Sequence, residues 1–300
     1  MSRPFEKLTY TNARGESIVF SRASKYHTNF KDVEGLSDVL STVYTASSVG
    51  QDGETLVDTR IESRVIQISG HLRATDKLEK QELRRRLNRA LNPHQAATLT
   101  YELGKGKRVI KCIPRSAPTY VPRRGSVFEE FVVQLICLNP FWQEATQTRT
   151  DVAAWVGLME FPVESGGLEI IEGEWQIGER TKSVVANIVN LGDVDAGMKI
   201  SFTASGTVVN PMLVDMESGE FIRINTTMEA GDEIVVKTGY GEKEVLLIRE
   251  GAEENIFRLL DIDSTYLQIK PGDNLYKYDA DEGVDALGVV IWHSNLYTGV

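Results

Sequence analysis

Three hundred residues, 41% of them hydrophobic, supply more apolar surface than one domain needs, so two cores are expected. The opening MSRPFEKLTY lacks the basic-then-apolar pattern of a secretory signal, and no apolar run approaches the roughly 18 residues that span a bilayer, which predicts a soluble chain with no membrane partner. Charge divides unevenly: residues 1–145 carry 22 Lys+Arg against 16 Asp+Glu and residues 146–300 carry 11 against 27, an excess of basic groups too small and too poor in interleaved aromatics to favour nucleic-acid recognition.

Phe5–Thr11 and Glu16–Ser21 alternate like strands across the turn Asn12-Ala13-Arg14-Gly15, which predicts a hairpin. Ser41–Ala46 and a long run from Leu56 to Arg73 flank the polar stretch Ser47–Glu54, and together predict a hairpin arm longer than one small core requires. Within that run the apolar phase changes at Val65-Ile66, so a bulge or bend is expected there. A single helix is predicted over Lys77–Leu91, with Asp76 as N-cap and Glu79 in the capping-box position. Leu83, Leu87, Ala90 and Leu91 form its apolar stripe, opposed by Lys80, Arg84, Arg85 and Arg89.

Leu99, Tyr101 and Leu103 alternate with polar residues, and Gly104-Lys105-Gly106-Lys107 turns the chain into Arg108–Ile113, a second hairpin. Pro114, Pro118 and Pro122 mark an extended passage before the strand Val127–Leu138. Polar residues 143–151 follow, which sets the boundary between a first domain of residues 1–145 and a second of residues 146–300. The second half is a series of short alternating runs, such as Met198, Ile200 and Phe202, separated by turns including Ser218-Gly219, Gly239-Tyr240-Gly241 and Pro271-Gly272-Asp273. No segment after Ala154–Phe161 shows helical periodicity, and a jelly-roll-like β-sandwich is the expected architecture.

Catalytic chemistry is hard to place on these residues. His27, His71, His94 and His293 are scattered and form no HExxH or HxH pair, and no nucleophile elbow or Walker loop is present. Cys112 and Cys137 lie in separate apolar strands and are expected to be reduced, buried and inert. The acidic groups Asp261-Ile262-Asp263 and Asp279, Asp281, Glu282 and Asp285 read as solvated surface, because they lack the spacing of a calcium loop. A glycoside hydrolase using a carboxylate pair is a distant alternative. Trp155, Trp175, Tyr240 and Trp292 could instead stack on sugars, which keeps a carbohydrate-binding module that contributes to host cell-wall adhesion as the alternative function. The expectation is no enzyme, no cofactor, no catalytic residue and no metal.

Several ordered landmarks carry a resemblance: Asn139-Pro140-Phe141-Trp142, Asn190-Leu191-Gly192-Asp193, Asn210-Pro211, Ser218-Gly219-Glu220-Phe221-Ile222, Ala230-Gly231-Asp232, Lys270-Pro271-Gly272-Asp273-Asn274 and Tyr297-Thr298-Gly299-Val300. In order and spacing the chain resembles the phage distal tail protein family. The resemblance implies a mostly β protein: a ring-forming belt domain with one helix and a projecting hairpin arm, then a galectin-like β-sandwich. It further implies a homo-hexameric ring at the virion tail tip, assembled in the bacterial host cytoplasm. One face would meet the major tail-tube protein and the other the tail-associated hub or receptor-binding proteins, while DNA passes through the channel without sequence recognition. Candidate interface residues are the turn Gln51, Asp52, Gly53, Glu54 and Thr55, and the helix run Arg84, Arg85 and Arg86.

Overall fold

A computed structural model of the chain describes residues 7–50, 52–104, 106–121, 128–152, 155–157, 178–180 and 185–300. It is mostly β and divides into two compact units, Met1–Ala145 with Leu296–Val300, and Thr146–Asn295.

In the first unit β1 (Lys7–Asn12), β2 (Ser17–Ser21), β3 (Tyr26–His27) and β4 (Val33–Glu34) precede the ribbon of β5 (Ser41–Ala46) and β6 (Thr55–Ile61). Then come β7 (Arg64–Arg73), α1 (Lys77–Ala90), β8 (Ala97–Leu103), β9 (Gly106–Pro114), β10 (Thr119–Val121), β11 (Phe128–Cys137) and β12 (Trp142–Glu144). Neighbours run β11-β7-β3-β2-β1-β8-β9, and β9 pairs again with β11, so seven strands close into a barrel. Closure leaves no free edge around that circuit. Its seam is short: Leu135↔Pro114 and Ile136↔Ile113.

Inward residues follow the two-residue strand period. Arg64, Ile66, Ile68 and Leu72 of β7 are buried, as are Leu8 and Tyr10, Ile18 and Phe20, Leu99 and Tyr101, and Phe131, Val133 and Leu135. β7 therefore keeps one phase throughout, and the change expected at Val65-Ile66 is absent. The break falls instead at Glu62-Ser63, where the chain leaves the ribbon and enters the barrel. Gly35 sits at φ +82 against the carbonyl of Val65, where a Cβ would collide with backbone.

The helix forms as its sequence directs. The Asp76 carboxylate accepts from the Glu79 N–H at 2.8 Å, and Leu83, Leu87 and Ala90 bury against the barrel. The Tyr26 hydroxyl donates to the Leu83 carbonyl at 3.2 Å, and the Asn12 amide donates to that of Ala90 at 3.2 Å, which fixes the helix on its barrel.

The second unit is a sandwich of two antiparallel sheets. One runs Thr148–Asp151, Leu287–His293, Ala196–Ala204, Glu233–Lys237, Glu244–Arg249, Ala252–Asn255, with Gln268–Ile269 beside Ala196–Ala204. The other runs Val185–Asn190, Gly272–Asp279, Met212–Asp215, Phe221–Arg223. Ile200, Phe202, Ile234, Val236, Val289 and Ile291 of the first face Ile188, Leu213, Ile222, Tyr276 and Tyr278 of the second in one core. Trp155–Gly157 pairs with Gly178–Arg180 as a separate two-stranded ribbon.

The last five residues leave this sandwich. Sequence placed all of residues 146–300 in the second domain, but Tyr297 pairs with Trp142 of β12 and its ring lies 3.8 Å below the Arg108 guanidinium. Arg64, buried without a carboxylate partner among the described residues, donates to the carbonyls of Pro140 (2.7 Å), Gly35 (2.8 Å), Leu36 (2.8 Å) and Thr298. A buried guanidinium needs its donors satisfied, and the returning terminus supplies one of those carbonyls. Local patterning could not reveal a pairing 155 positions along the chain.

Candidate assembly surface

β5 and β6 make a ribbon that pairs with no other strand among the described residues. Thr, Val and Tyr favour the extended backbone of the ribbon's two strands. Its register runs from Ser41↔Ile61 to Tyr44↔Asp58, then shifts so that Thr45 faces Leu56 and Ala46 faces Thr55, leaving Val57 as the extra residue of a bulge. Every residue of β5 is exposed, and all of β6 except the half-buried Ile61. Val43 is 55% exposed, Tyr44 45%, Leu56 63% and Val57 66%. Tyr44 alternates with Val43 along β5, so apolar groups stand on both faces. A two-stranded ribbon is marginal in water without a third strand or a helix behind it.

Of the predicted tip residues, Asp52, Gly53, Glu54 and Thr55 all lie exposed at the far end of this arm, and Gln51 lies outside the described residues. Gly50 at φ +87 and Gly53 at φ +82 allow the turn, and the Thr45 hydroxyl donates to Glu54 at 2.5 Å. Sequence reasoning missed Val43, Tyr44, Leu56 and Val57. Their signal was present: a strand pair longer than the core could use, with apolar residues in both phases.

The helix arginines separate into different roles. Arg84 lies 4.4 Å over the Tyr120 ring and 3.5 Å from the Glu129 carboxylate, which is 4% exposed. Arg86 donates to the Ser17 carbonyl at 3.4 Å, and Arg89 pairs with Glu16 at 2.8 Å beside a cavity of about 400 Å³ lined by Gly15, Ser17, Ile18 and Ala90. Arg85 has no such tie to a described residue. Of the predicted run Arg85 and Arg86 are exposed and Arg84 is half-buried. Tyr120, half-buried against the helix with its hydroxyl 2.7 Å from the Asn88 amide oxygen, has its pKa pushed up to about 12 by desolvation. At the helix start the Glu79 carboxylate accepts from Lys25 and from the Thr75 N–H (2.6 Å) and hydroxyl (2.7 Å), and these bonds hold it down at about 2.

In the second unit the acidic residues are tied to local structure. Asp261 accepts from the Asp263 N–H at 3.0 Å, Asp281 pairs with Arg223 at 2.6 Å, and Asp279 with Lys277 at 2.9 Å. Asp232 is gripped by two Arg249 nitrogens at 2.9 and 2.5 Å, which lowers its pKa. Among the described residues no group of three His, Cys, Asp or Glu could hold a metal ion, and no helix is long and apolar enough to cross a membrane. The half-buried Trp292 ring already has Lys199 4.8 Å and Arg149 5.9 Å from its centre, and Tyr240 stands exposed beside Lys243. Trp175 lies outside the described residues, as does the side chain of Trp155.

Residues 13–137 match the phage tail protein RIFT-related domain, and residues 191–292 match the C-terminal domain of the siphovirus-type tail component. The chain belongs to the siphovirus distal tail component family. It is a structural protein of a phage tail, and its two matched stretches fall one in the barrel unit and one in the sandwich. Its fold is that of the SPP1 Dit protein, described as a paradigm of the hub adsorption apparatus in phages infecting Gram-positive hosts. The two share 13% identity at a TM-score of 0.67, over 96% of this chain and 98% of that one. A chain of the phage P2 baseplate, in its activated conformation with calcium, is similar at TM-score 0.52 and 12% identity, covering 97% and 98%, and the strontium-activated baseplate gives the same values. No curated protein matches the distal tail component by sequence.

Proposed function

We propose that this distal tail component is a non-enzymatic adaptor, a hexameric ring built by its first unit at the virion tail tip. One face of the ring meets the major tail-tube protein and the other the tail-associated hub or receptor-binding proteins, and DNA crosses the channel unread. Assembly takes place in the host cytoplasm. Residues 1–145 act as the belt, and the sandwich is galectin-like and faces outward partners.

The β5–β6 arm carries this reading. A head-to-tail ring needs a surface and its complement on different sides of one subunit, closing at a fixed rotation. An arm with apolar residues on both faces and no core behind it is stable when a neighbouring copy covers it. The surface is therefore the tip Asp52, Gly53, Glu54 and Thr55 extended by Val43, Tyr44, Leu56 and Val57, with Arg85 as a separate polar contact.

Native mass spectrometry and electron microscopy of the purified chain test it. Six-fold particles are expected. A chain that stays monomeric at every concentration, and joins neither tail-tube nor hub protein, overturns the reading.

A further inference from the structure

The barrel closes through only two registered pairs, Leu135↔Pro114 and Ile136↔Ile113. Extending that register by one step sets Cys137, the last residue of β11, opposite Cys112 of β9. Hydrogen bonding fixes which kind of pair this is. The Arg115 N–H donates to the Gln134 carbonyl at 2.8 Å, and Pro114 has no N–H to give, so Leu135↔Pro114 is a non-hydrogen-bonded pair. Parity then makes Ile136↔Ile113 hydrogen-bonded and Cys137↔Cys112 non-hydrogen-bonded. In such a pair the Cα atoms stand about 4.5 Å apart with side chains close, inside the range of about 4.4–6.8 Å that a disulfide spans.

Both side chains point the same way. Cys112 is 3% exposed and Cys137 fully buried, each in phase with the inward residues of its strand. Both are free thiols in this structure. We propose that Cys112 and Cys137 are a latent disulfide, a redox-formed staple across the closing seam of the barrel.

Burial pushes both thiols up, Cys137 to about 12, and each sulfur feels its surroundings: Cys137 raises Cys112 further, while Arg64, its register partner on β7, draws Cys137 down. Once the seam opens, the thiol that meets water first ionises and attacks. The reaction needs a disulfide oxidant and a transient opening of the seam. With oxidised glutathione, that Sγ bonds one glutathione sulfur as the glutathione S–S bond breaks and the other leaves as a thiol. The other cysteine's Sγ then displaces the bound glutathione. Two protein thiols lose two electrons and two protons, and one glutathione disulfide becomes two glutathione thiols.

The test uses the full chain in a glutathione redox buffer, with and without sub-denaturing urea, followed by acid quench, alkylation with N-ethylmaleimide under denaturing conditions, and non-reducing peptide mapping. A single link joining Cys112 to Cys137 is expected, formed faster in urea, with both alkylation sites lost together. The thermal midpoint should rise by several degrees and return on reduction. Cys112→Ala and Cys137→Ala, either of which suffices if the other fails to fold, should leave the midpoint insensitive to the buffer. Persistent glutathione adducts on separate cysteines, interchain links, thiols that stay reduced even in urea, or a link that leaves the midpoint unchanged or lower each overturn the proposal.

Discussion

β6 and β7 are consecutive parts of one strand-forming run, yet their apolar residues meet opposite fates. Ile66, Ile68 and Leu72 in β7 are fully buried, whereas Leu56 and Val57 in β6 are 63% and 66% exposed. Composition is nearly the same on both sides of Glu62-Ser63; what differs is the company. β7 has β11 on one side and β3 and β4 on the other, and β6 has only β5. Strand propensity thus makes both segments extended, while tertiary neighbours decide whether a side chain stabilises the monomer or waits for another chain.

The largest effect should come from the barrel side of this contrast. Trp142 is fully buried, and its indole N–H donates to the Leu36 carbonyl at 3.0 Å. Trp142→Ala removes that bond and leaves a cavity, and should cost about 3–5 kcal/mol in urea-unfolding stability. A loss under about 1 kcal/mol would mean that the barrel core is no better packed than the arm, and the contrast would fail.

Next is the pair Arg84 and Arg85, adjacent in sequence and unlike in contact. Arg84→Ala strips the cover from the Tyr120 ring and leaves the Glu129 carboxylate buried beside it, for an expected loss of about 1–3 kcal/mol. Arg85→Ala should change stability by less than about 0.5 kcal/mol. Equal losses in thermal or urea unfolding would show that the run acts as one surface.

That pair also shows where sequence reading stops. The helix, its Asp76 cap and its Leu83-Leu87-Ala90 stripe were legible because they are local and periodic. The same holds for the β1–β2 and β8–β9 hairpins and the alternation of Met198, Ile200 and Phe202. Which arginine faces Glu129, that β9 closes on β11, and that Tyr297 returns to Trp142 depend on contacts far apart in the chain, and no local pattern encodes them. The arm was legible as a hairpin and its tip as a candidate surface, but the apolar residues along its length read equally well as core. The phase change expected at Val65-Ile66 is absent, because β7 holds one phase throughout and the run breaks before it, at Glu62-Ser63.

A smaller effect should appear in acid. Glu79 is held at about 2 by Lys25 and the Thr75 N–H and hydroxyl, below the ordinary value of about 4.3. A carboxylate lowered on folding stabilises fully above its unfolded value, and that contribution fades as pH falls from about 4 towards 2. Urea midpoints of the wild type and Glu79→Gln should therefore differ by a constant amount above about pH 5 and converge in acid. A difference independent of pH down to about 2 would place the helix tie in geometry rather than charge.

The smallest effect on the isolated chain should come from the arm, and it divides the two regions most sharply. Val43 and Val57 are exposed, so replacing both with Lys removes little burial in the monomer, and stability should move by less than about 0.5 kcal/mol. In the proposed ring the same two residues would lie under a neighbour, where an ammonium group without a partner carries a desolvation cost of several kcal/mol per interface. Light scattering should therefore show the double variant as a folded monomer, with the thermal midpoint of wild-type chain diluted until it no longer assembles. If it still assembles, the arm is not the contact. If it unfolds, the arm belongs to the fold after all, and the line drawn at Glu62-Ser63 separates nothing.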